Sequence, residues 1–340
     1  MTPPAVRRAR PLALVALLSL VAACGTSASA DSAAGGGSGQ LTLHVGDQGK
    51  YLQTLLDTSG QSQGLGYRVV FDQFNSGPLV NQAFAAGAID LGVMGDTPAI
   101  YAAAAGVPVD VVGVSHTVGP GYTLVARAGT GIRTLADLKG HKVAYSKGTA
   151  NQGFLLQALD TVGLKQHDVT AVDVPLQNIG GVLESGTVDA ATASPQDLIT
   201  YGRAHADAVT LINGQQVSSG YTFWLAAQKS LGDPARRKAL VDLVGRIITA
   251  NSWNRTHPDA WIDAYYVKVN KQTPEVGKLV WQASGETEFA PLSDQVVAAQ
   301  QRQADLFLAN GQVPKKVDVS GGFPADVRRD FNPAVAAGQH

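Results

Sequence analysis

Apolar and polar residues alternate through Leu41-Thr42-Leu43-His44-Val45, and the alternation stops at Gly46. That period of two predicts a first β-strand, and the glycine predicts a loop over residues 46–50. Residues 51–58 take helical spacing, and Tyr67-Arg68-Val69-Val70-Phe71 reads as a second strand. In Asn75-Ser76-Gly77-Pro78, Ser76 is placed to cap a helix that turns Leu79, Val80, Ala83 and Phe84 inward. Gly87 closes that helix, and residues 89–94 form a buried strand. Farther on, residues 134–140 predict a short helix, 141–145 a strand, 151–162 a helix closed by Gly163, and 169–174 and 187–193 two more strands. The tail is helical. Asp233-Pro234 joins a capping residue to a proline at the first helical position, ahead of an apolar face of Leu240, Val241, Val244, Ile247 and Ile248. Ser293 or Asp294 opens a later helix that carries Leu306 and Phe307 and ends at Asn310-Gly311. These tail helices are expected to pack on the first lobe, away from any chemistry.

Strands that alternate with helices predict an α/β protein with crossover connections. An internal echo at a spacing of 99 residues divides it: AAGAIDLGVMGDTPAI (85–100) and ESGTVDAATASPQDLI (184–199) share a helix-ending glycine, an apolar-Asp pair and a final isoleucine. The same offset pairs Gly121-Tyr122-Thr123 with Gly220-Tyr221-Thr222, each leading into an apolar strand. The expected architecture is two similar α/β lobes joined by a two-strand hinge, with extra C-terminal helices. Lobe 1 is discontinuous, residues 41–127 plus 218–340, and lobe 2 is residues 128–217. Hinging is expected at residues 122–126 and 221–225. Asp90 and Asp189, the acids of the two echoes, read as structural.

The first 40 residues follow a different pattern. Arg7, Arg8 and Arg10 precede an apolar run over residues 11–20, and Val21-Ala22-Ala23-Cys24-Gly25 follows. This is the layout of an export signal, too short to span a bilayer, which takes about 20 apolar residues. Cys24 is the only cysteine in the 340 residues, so no intrachain disulfide explains it. The stretch resembles the lipobox of bacterial lipoproteins, which implies cleavage after residue 23 and acylation of Cys24. Residues 24–40, with Gly35-Gly36-Gly37-Ser38-Gly39, then form a flexible tether. The alternative is an ordinary secretory signal with Cys24 incidental. Loss of the three arginines takes the formal net charge from −1 to −4, which gives no basic surface for nucleic acid.

The stretches GDQGKYLQTLL, FNSGPLVNQAFAAGAIDLGVMGDTPAIYAAAAG, IRTLADLKGHKVAYSKGTANQGFLLQAL and VLESGTVDAAT resemble the substrate-binding lipoproteins of bacterial ABC importers, in the aliphatic-sulfonate, taurine and nitrate group. The resemblance implies a type II periplasmic-binding-protein fold, in which two lobes close over a small molecule and pass it to a membrane permease. Ligands of open α/β sheets collect beyond the carboxyl ends of strands, where small residues expose amides and hydroxyls and helix N-termini favour anions. The candidate ligand-binding residues on those loops are Gly46, Asp47, Gln48 and Lys50; Asn75, Ser76 and Gly77; Gly95, Asp96 and Thr97; Ser146, Lys147, Gly148, Thr149 and Asn151; and Ser194. Tyr221 is the candidate outside them. Ser76 and Thr97 serve equally as helix caps, Lys147 as a turn lysine, and Gly77, Gly95 and Gly148 as turn glycines. Tyr51, Tyr122 and Tyr221 either line the pocket or pack at the hinge.

Where many members of that group place an aromatic residue and an acid before a proline, this chain has Ala191-Thr192-Ala193-Ser194-Pro195. Asp47 or Asp96 facing the cleft would favour a ligand with an ammonium group, such as taurine. No His, Cys, Asp and Glu residues take a close metal-ligand spacing, and neither a Gly-x-Ser-x-Gly elbow nor a phosphate loop occurs. No catalytic residue, metal or cofactor is expected. The expectation is a monomeric, lipid-anchored receptor on the extracytoplasmic face, which gives a small organic anion, an aliphatic sulfonate or taurine-like compound foremost, to an ABC permease. The same fold serving as a pyrimidine-synthesis or desulfinase-type enzyme, or as a surface sensor, is the alternative.

Overall fold

The computed structural model describes residues 40–337. Among the described residues, eleven strands form two sheets. The first runs in the order β11-β4-β10-β3-β1-β2 and the second β7-β6-β8-β5-β9. Sheet 1 takes β1 (Thr42–Gln48), β2 (Arg68–Phe74), β3 (Leu91–Gly95), β4 (Val109–Val118), β10 (Tyr221–Ala227) and β11 (Glu286–Ala290). Sheet 2 takes β5 (Thr123–Ala126), β6 (Lys142–Tyr145), β7 (Thr170–Asp173), β8 (Ala190–Ala193) and β9 (Val209–Asn213). In each sheet three strands run parallel, β2-β1-β3 and β7-β6-β8, and the next strand, β10 or β5, runs antiparallel to them.

Helices α1 (Tyr51–Thr58), α2 (Gly77–Ala85) and α3 (Asp96–Ala105) follow the three parallel strands of sheet 1. α4 (Ala150–Asp160), α5 (Ile179–Glu184) and α6 (Pro195–Ala204) follow those of sheet 2, and α7 (Gly214–Val217) lies in the return to sheet 1. The tail holds α8 (Gln228–Gly232), α9 (Pro234–Thr256), α10 (Pro258–Trp261), α11 (Pro274–Ser284), α12 (Asp294–Ala309) and α13 (Ala325–Ala337). α9 starts as its sequence requires, with Asp233 Oδ1 accepting from the Ala235 and Arg236 amides and Pro234 at the first turn. Leu240, Val244, Ile247 and Ile248 of α9 are buried in the core of sheet 1.

The echo has a physical cause. Gly87 and Gly186 each end a helix with a left-handed φ, 66° and 70°, which favours glycine. The acid that follows braces the sheet: Asp90 Oδ2 accepts from the His44 amide of β1 and Asp189 Oδ2 from the Lys142 amide of β6. Asp90 also holds Ser230 Oγ and Arg236, so both acids are structural, as their positions predict.

Several expectations change. β1 continues through Gly46, Asp47 and Gln48, so the predicted loop shrinks to Gly49 and Lys50. Leu79 faces solvent, while Val80 and Phe84 of α2 are buried in the core and Ala83 packs at its edge. His116 lies on β4. Residues 123–126, expected in the first lobe, pair in sheet 2, between β8 and β9. The chain therefore crosses between sheets at residues 119–122 and 214–220, ahead of the expected hinge points, and both β5 and β10 are sheet interior. Gly214 N donates to the carbonyls of Pro120 and Tyr122, which ties the crossovers together.

The tail does not confine itself to the first lobe. Ile100 of α3, Leu156 of α4, Ala304 and Phe307 of α12, and Val313, Val317 and Val319 beyond it form one buried apolar cluster. α12 thus packs on both lobes. On the opposite flank α6 lies against α11, where Arg203 pairs with Glu275.

Candidate ligand-binding site

A cavity of about 430 Å3 lies between the sheets, beside the crossovers. Its wall takes Gly95 and Asp96 from the β3–α3 junction, Ala150 and Phe154 from α4, and Ser194 and Pro195 from the β8–α6 junction. His116 to Tyr122, Gly214, Gln215, Ser218 and Gly220 to Thr222 supply the crossover side, and Ser284 closes the α11 side. Three helices of ten or eleven residues, α3, α4 and α6, present their N-termini here. Each N-terminus carries roughly half a positive charge, which favours an anion, although Asp96 Oδ1 holds the Thr97 amide of α3 and Ser194 Oγ the Asp197 amide of α6. At α4 the N-cap Thr149 gives its hydroxyl to the Ser146 carbonyl rather than to the helix, so no side chain caps that end.

Asp96 is the one carboxylate on the wall, and no lysine or arginine lines it. Its side chain is buried, and burial raises its pKa to about 6 against the donors Gln303 and Thr97, which lower it. Tyr122, also on the wall, is pushed up to about 12, first by burial and then by the charges of Asp197 and Asp96. His116 meets Tyr221 edge-on at 5.8 Å. Among the described residues no group of three His, Cys, Asp or Glu side chains is arranged to hold a metal.

Of the sequence candidates, Gly95, Asp96, Ser194 and Tyr221 meet at this cavity. The others brace the scaffold. Gly46 packs on Ile89 and Val80. Asp47, fully buried, accepts from the Leu52 and Gln53 amides and from Gln73 Nε2, so it caps α1 and does not face the cleft. Gln48 Nε2 donates to the Val93 carbonyl, and the Lys50 amide to Gln73 Oε1. Asn75 is exposed, Ser76 is an N-cap without a side-chain bond, and Gly77 lets α2 approach Pro98. Thr97 is wholly buried under α4 and α12. Asn151 bonds the Ser146 amide and Thr192, which joins β6 to β8. The Lys147 amide binds Asp173 while its side chain faces solvent, and Gly148 binds Gln152 and touches Pro78. Ser194 spends its hydroxyl on Asp197 in a capping box, so it offers the cavity a small wall rather than a donor.

Sequence reasoning named Tyr122 and Tyr221 but missed the other crossover residues as wall, and with them Ala150, Phe154 and Ser284. The repeated Gly-Tyr-Thr was the available signal, since two crossovers held together must border the space between the lobes. Tyr51 takes neither expected role, for it packs edge-on against Trp261 and Tyr265.

Two sheets that exchange a strand at paired crossovers and enclose a cavity between them define a periplasmic-type solute-binding protein. The model of NMT1/THI5-like proteins matches residues 62–225. A putative aliphatic sulfonates-binding protein of Escherichia coli (strain K12) is 30% identical over 255 residues, 74% of this chain and 78% of its own. The chain belongs to the aliphatic sulfonate-binding protein family. The crystal structure of the periplasmic aliphatic sulphonate binding protein SsuA from Escherichia coli matches at 28% identity and TM-score 0.74, covering 83% of this chain and 92% of that one. SsuA from Xanthomonas axonopodis pv. citri, solved bound to MOPS, matches at 27% and 0.74, covering 83% and 98%. These relatives are binding proteins rather than enzymes.

Proposed function

We propose that this protein is the extracytoplasmic receptor of an ABC importer and that it captures an aliphatic sulfonate in the cavity between its lobes. The observation that carries the ligand class is the meeting of three helix N-termini from both lobes on a wall free of lysine and arginine. A sulfonate has three acceptor oxygens and no proton to give, which suits amide donors. Tyr122, Phe154 and Tyr221 supply apolar wall for the alkyl part. No bond is made or broken. Ligand touching both lobes stabilises their contact, and the permease receives the loaded form.

Asp96 divides this ligand class in two. A carboxylate repels a bare alkanesulfonate and attracts the ammonium of an aminoalkanesulfonate such as taurine. Its raised pKa sets the sign: the side chain is charged above pH 6 and gains its proton as the pH falls through about 6. Titration calorimetry is therefore expected to find ethanesulfonate affinity rising roughly tenfold between pH 7.5 and 5 and taurine affinity falling over the same range. His116, Tyr122 and Tyr221 are the other titratable groups on the wall. In Asp96→Asn both trends should vanish, whereas a trend owed to His116 would persist. Failure to bind either compound, with sulfate, nitrate and longer alkanesulfonates also silent, ends the sulfonate reading.

The anchor belongs to the same proposal. Cys24 lies outside the described residues, and its reading rests on the lipobox-like Val21-Ala22-Ala23-Cys24. Acyl chains contribute about 0.8 kcal/mol per buried methylene, so two or more hold a soluble domain at a bilayer. Cys24→Ser expressed in a bacterial host should move the protein from the membrane fraction to the soluble fraction and abolish palmitate labelling. Membrane retention of that variant would overturn the anchor. The receptor is read as a monomer.

A further inference from the structure

Gln300 and Gln303 lie one helical turn apart on the buried face of α12, with 3% and 4% of their surface exposed. Both point at the start of α3. Gln300 Nε2 donates to the Asp96 carbonyl at 2.8 Å, and Gln303 Nε2 donates to Thr97 Oγ1 at 3.1 Å. The Gln303 amide also reaches the Asp96 carboxylate. Leucine or methionine would fill the same space on an apolar helix face without the cost of burying an amide, so the bonds, not the volume, distinguish these residues. Beyond them the same segment reaches lobe 2, where Gln152 Nε2 of α4 donates to Gln312 Oε1 and the Gln166 amide to Asn310 Oδ1.

We infer that Gln300 and Gln303 are positioning residues of the ligand site: from the C-terminal helix they fix the carbonyl of Asp96 and the hydroxyl of Thr97, and so hold the α3 N-terminus and the Asp96 carboxylate in place on the cavity wall. Neither touches the cavity's sulfonate region. They act through α3. The inference rests on the reading of the cavity as the sulfonate site, and it assigns a role to the one part of the chain whose pattern predicts mere packing.

The test uses the mature soluble protein and the variant Gln303→Met, which keeps the volume and removes the donor. The Asp96 carboxyl titration, followed by carbon NMR without ligand, should move above its wild-type midpoint because a donor to the charged form is lost. The pH at which ethanesulfonate affinity declines should move up with the carboxyl, and at pH 9, where the carboxyl is charged in both proteins, the affinity of the variant should be roughly fivefold below wild type. Gln301→Met is the control, since Gln301 bonds Asp305 and Val317 within the tail and does not reach α3. Its carboxyl titration and affinity should match wild type. If Gln303→Met does not fold, Gln303→Asn keeps an amide one methylene short of its partners and serves with the same outcomes. An Asp96 midpoint unchanged in the folded variant overturns the inference. Absence of sulfonate binding by the wild type overturns the ligand reading instead, while the ligand-free titration still decides the role of Gln303.

Discussion

Replacing Gly153 by alanine is expected to raise the dissociation constant for ethanesulfonate tenfold or more, from an overpacking penalty of about 1–3 kcal/mol, while both sheets stay folded. Gly153 lies in α4, where a Cβ would collide with Thr97 Oγ1 and lie 2.6 Å from Gln303 Nε2. Both groups belong to elements that face α4 across the lobe contact, and both are buried, so neither can swing into solvent. The added methyl therefore acts as a wedge between α3 and α4. Within its own helix the substitution is favourable by about 1 kcal/mol, since glycine is the poorer helix former, so local unfolding does not explain a loss of binding. Only the contact between lobes is opposed. Spin labels placed on α2 and α5, measured by pulsed dipolar spectroscopy, should report a longer separation in Gly153→Ala. Gly181→Ala is the matched control, because nothing lies within 4 Å of a Cβ at that helical position. Unchanged affinity and separation in Gly153→Ala would mean that the α3–α4 contact yields freely and does not set the geometry of the cavity.

Gly153 was a sign of the contact that the sequence reading passed over. A lone glycine inside a helical pattern costs stability and asks for a reason, usually a close approach. The sequence pattern located α1, α9 and the echoed glycines and acids, because those features depend on neighbours within a few residues. The candidate loops fared differently. Asp47, Asn151 and Ser194 have the residue types of a ligand loop, yet each spends its polar atoms on an amide or carboxylate of the scaffold. Capping a helix and holding a ligand call for the same short polar side chains at the same strand ends. Which use wins depends on where the opposite lobe stands, and residues roughly a hundred apart decide that. The departure at Ala193-Ser194 illustrates the point: a small capping residue stands where the resemblance implies a bulkier pair.

The reach of the tail was illegible for the same reason. Leu306 and Phe307 mark an apolar face on α12, but nothing local says that this face meets Leu156 of α4 as well as Ile100 of α3. Once it does, the two flanks of the lobe contact differ in kind: α6 sets half-buried Ile199 against the sheet 1 core, whereas the α12 flank is a shared, fully buried cluster. On the α6–α11 flank the named polar contact is Arg203 with Glu275, whose side chains are 51% and 72% exposed, and exposed pairs contribute about 0–1 kcal/mol. On the other flank Phe307 is fully buried and meets the Tyr101 ring edge-on at 5.7 Å. Opening should then occur between α6 and α11, where Ser194 and Ser284 border the cavity, with α3, α4 and α12 as the pivot.

Phe307→Ala tests that asymmetry and carries the largest stability effect expected of a single change in this contact. Removal of a buried phenylalanine from a shared core costs about 3–5 kcal/mol, a transfer term plus a cavity that α3, α4 and α12 cannot all collapse into. The loss falls on both lobes, since the cluster draws side chains from each. Differential scanning calorimetry should show the melting temperature falling by roughly 5–15 °C, and one cooperative transition separating into two as the lobes lose their common core. Arg203→Ala should leave the melting temperature within a degree or two and instead raise the rate of ligand release, measured by stopped flow, because it loosens only the opening edge. If Phe307→Ala melts in a single transition within about 1 kcal/mol of wild type, the cluster is a surface patch rather than a pivot. The lobes would then be free to part on either flank, and the C-terminal helix would lose its part in holding them together.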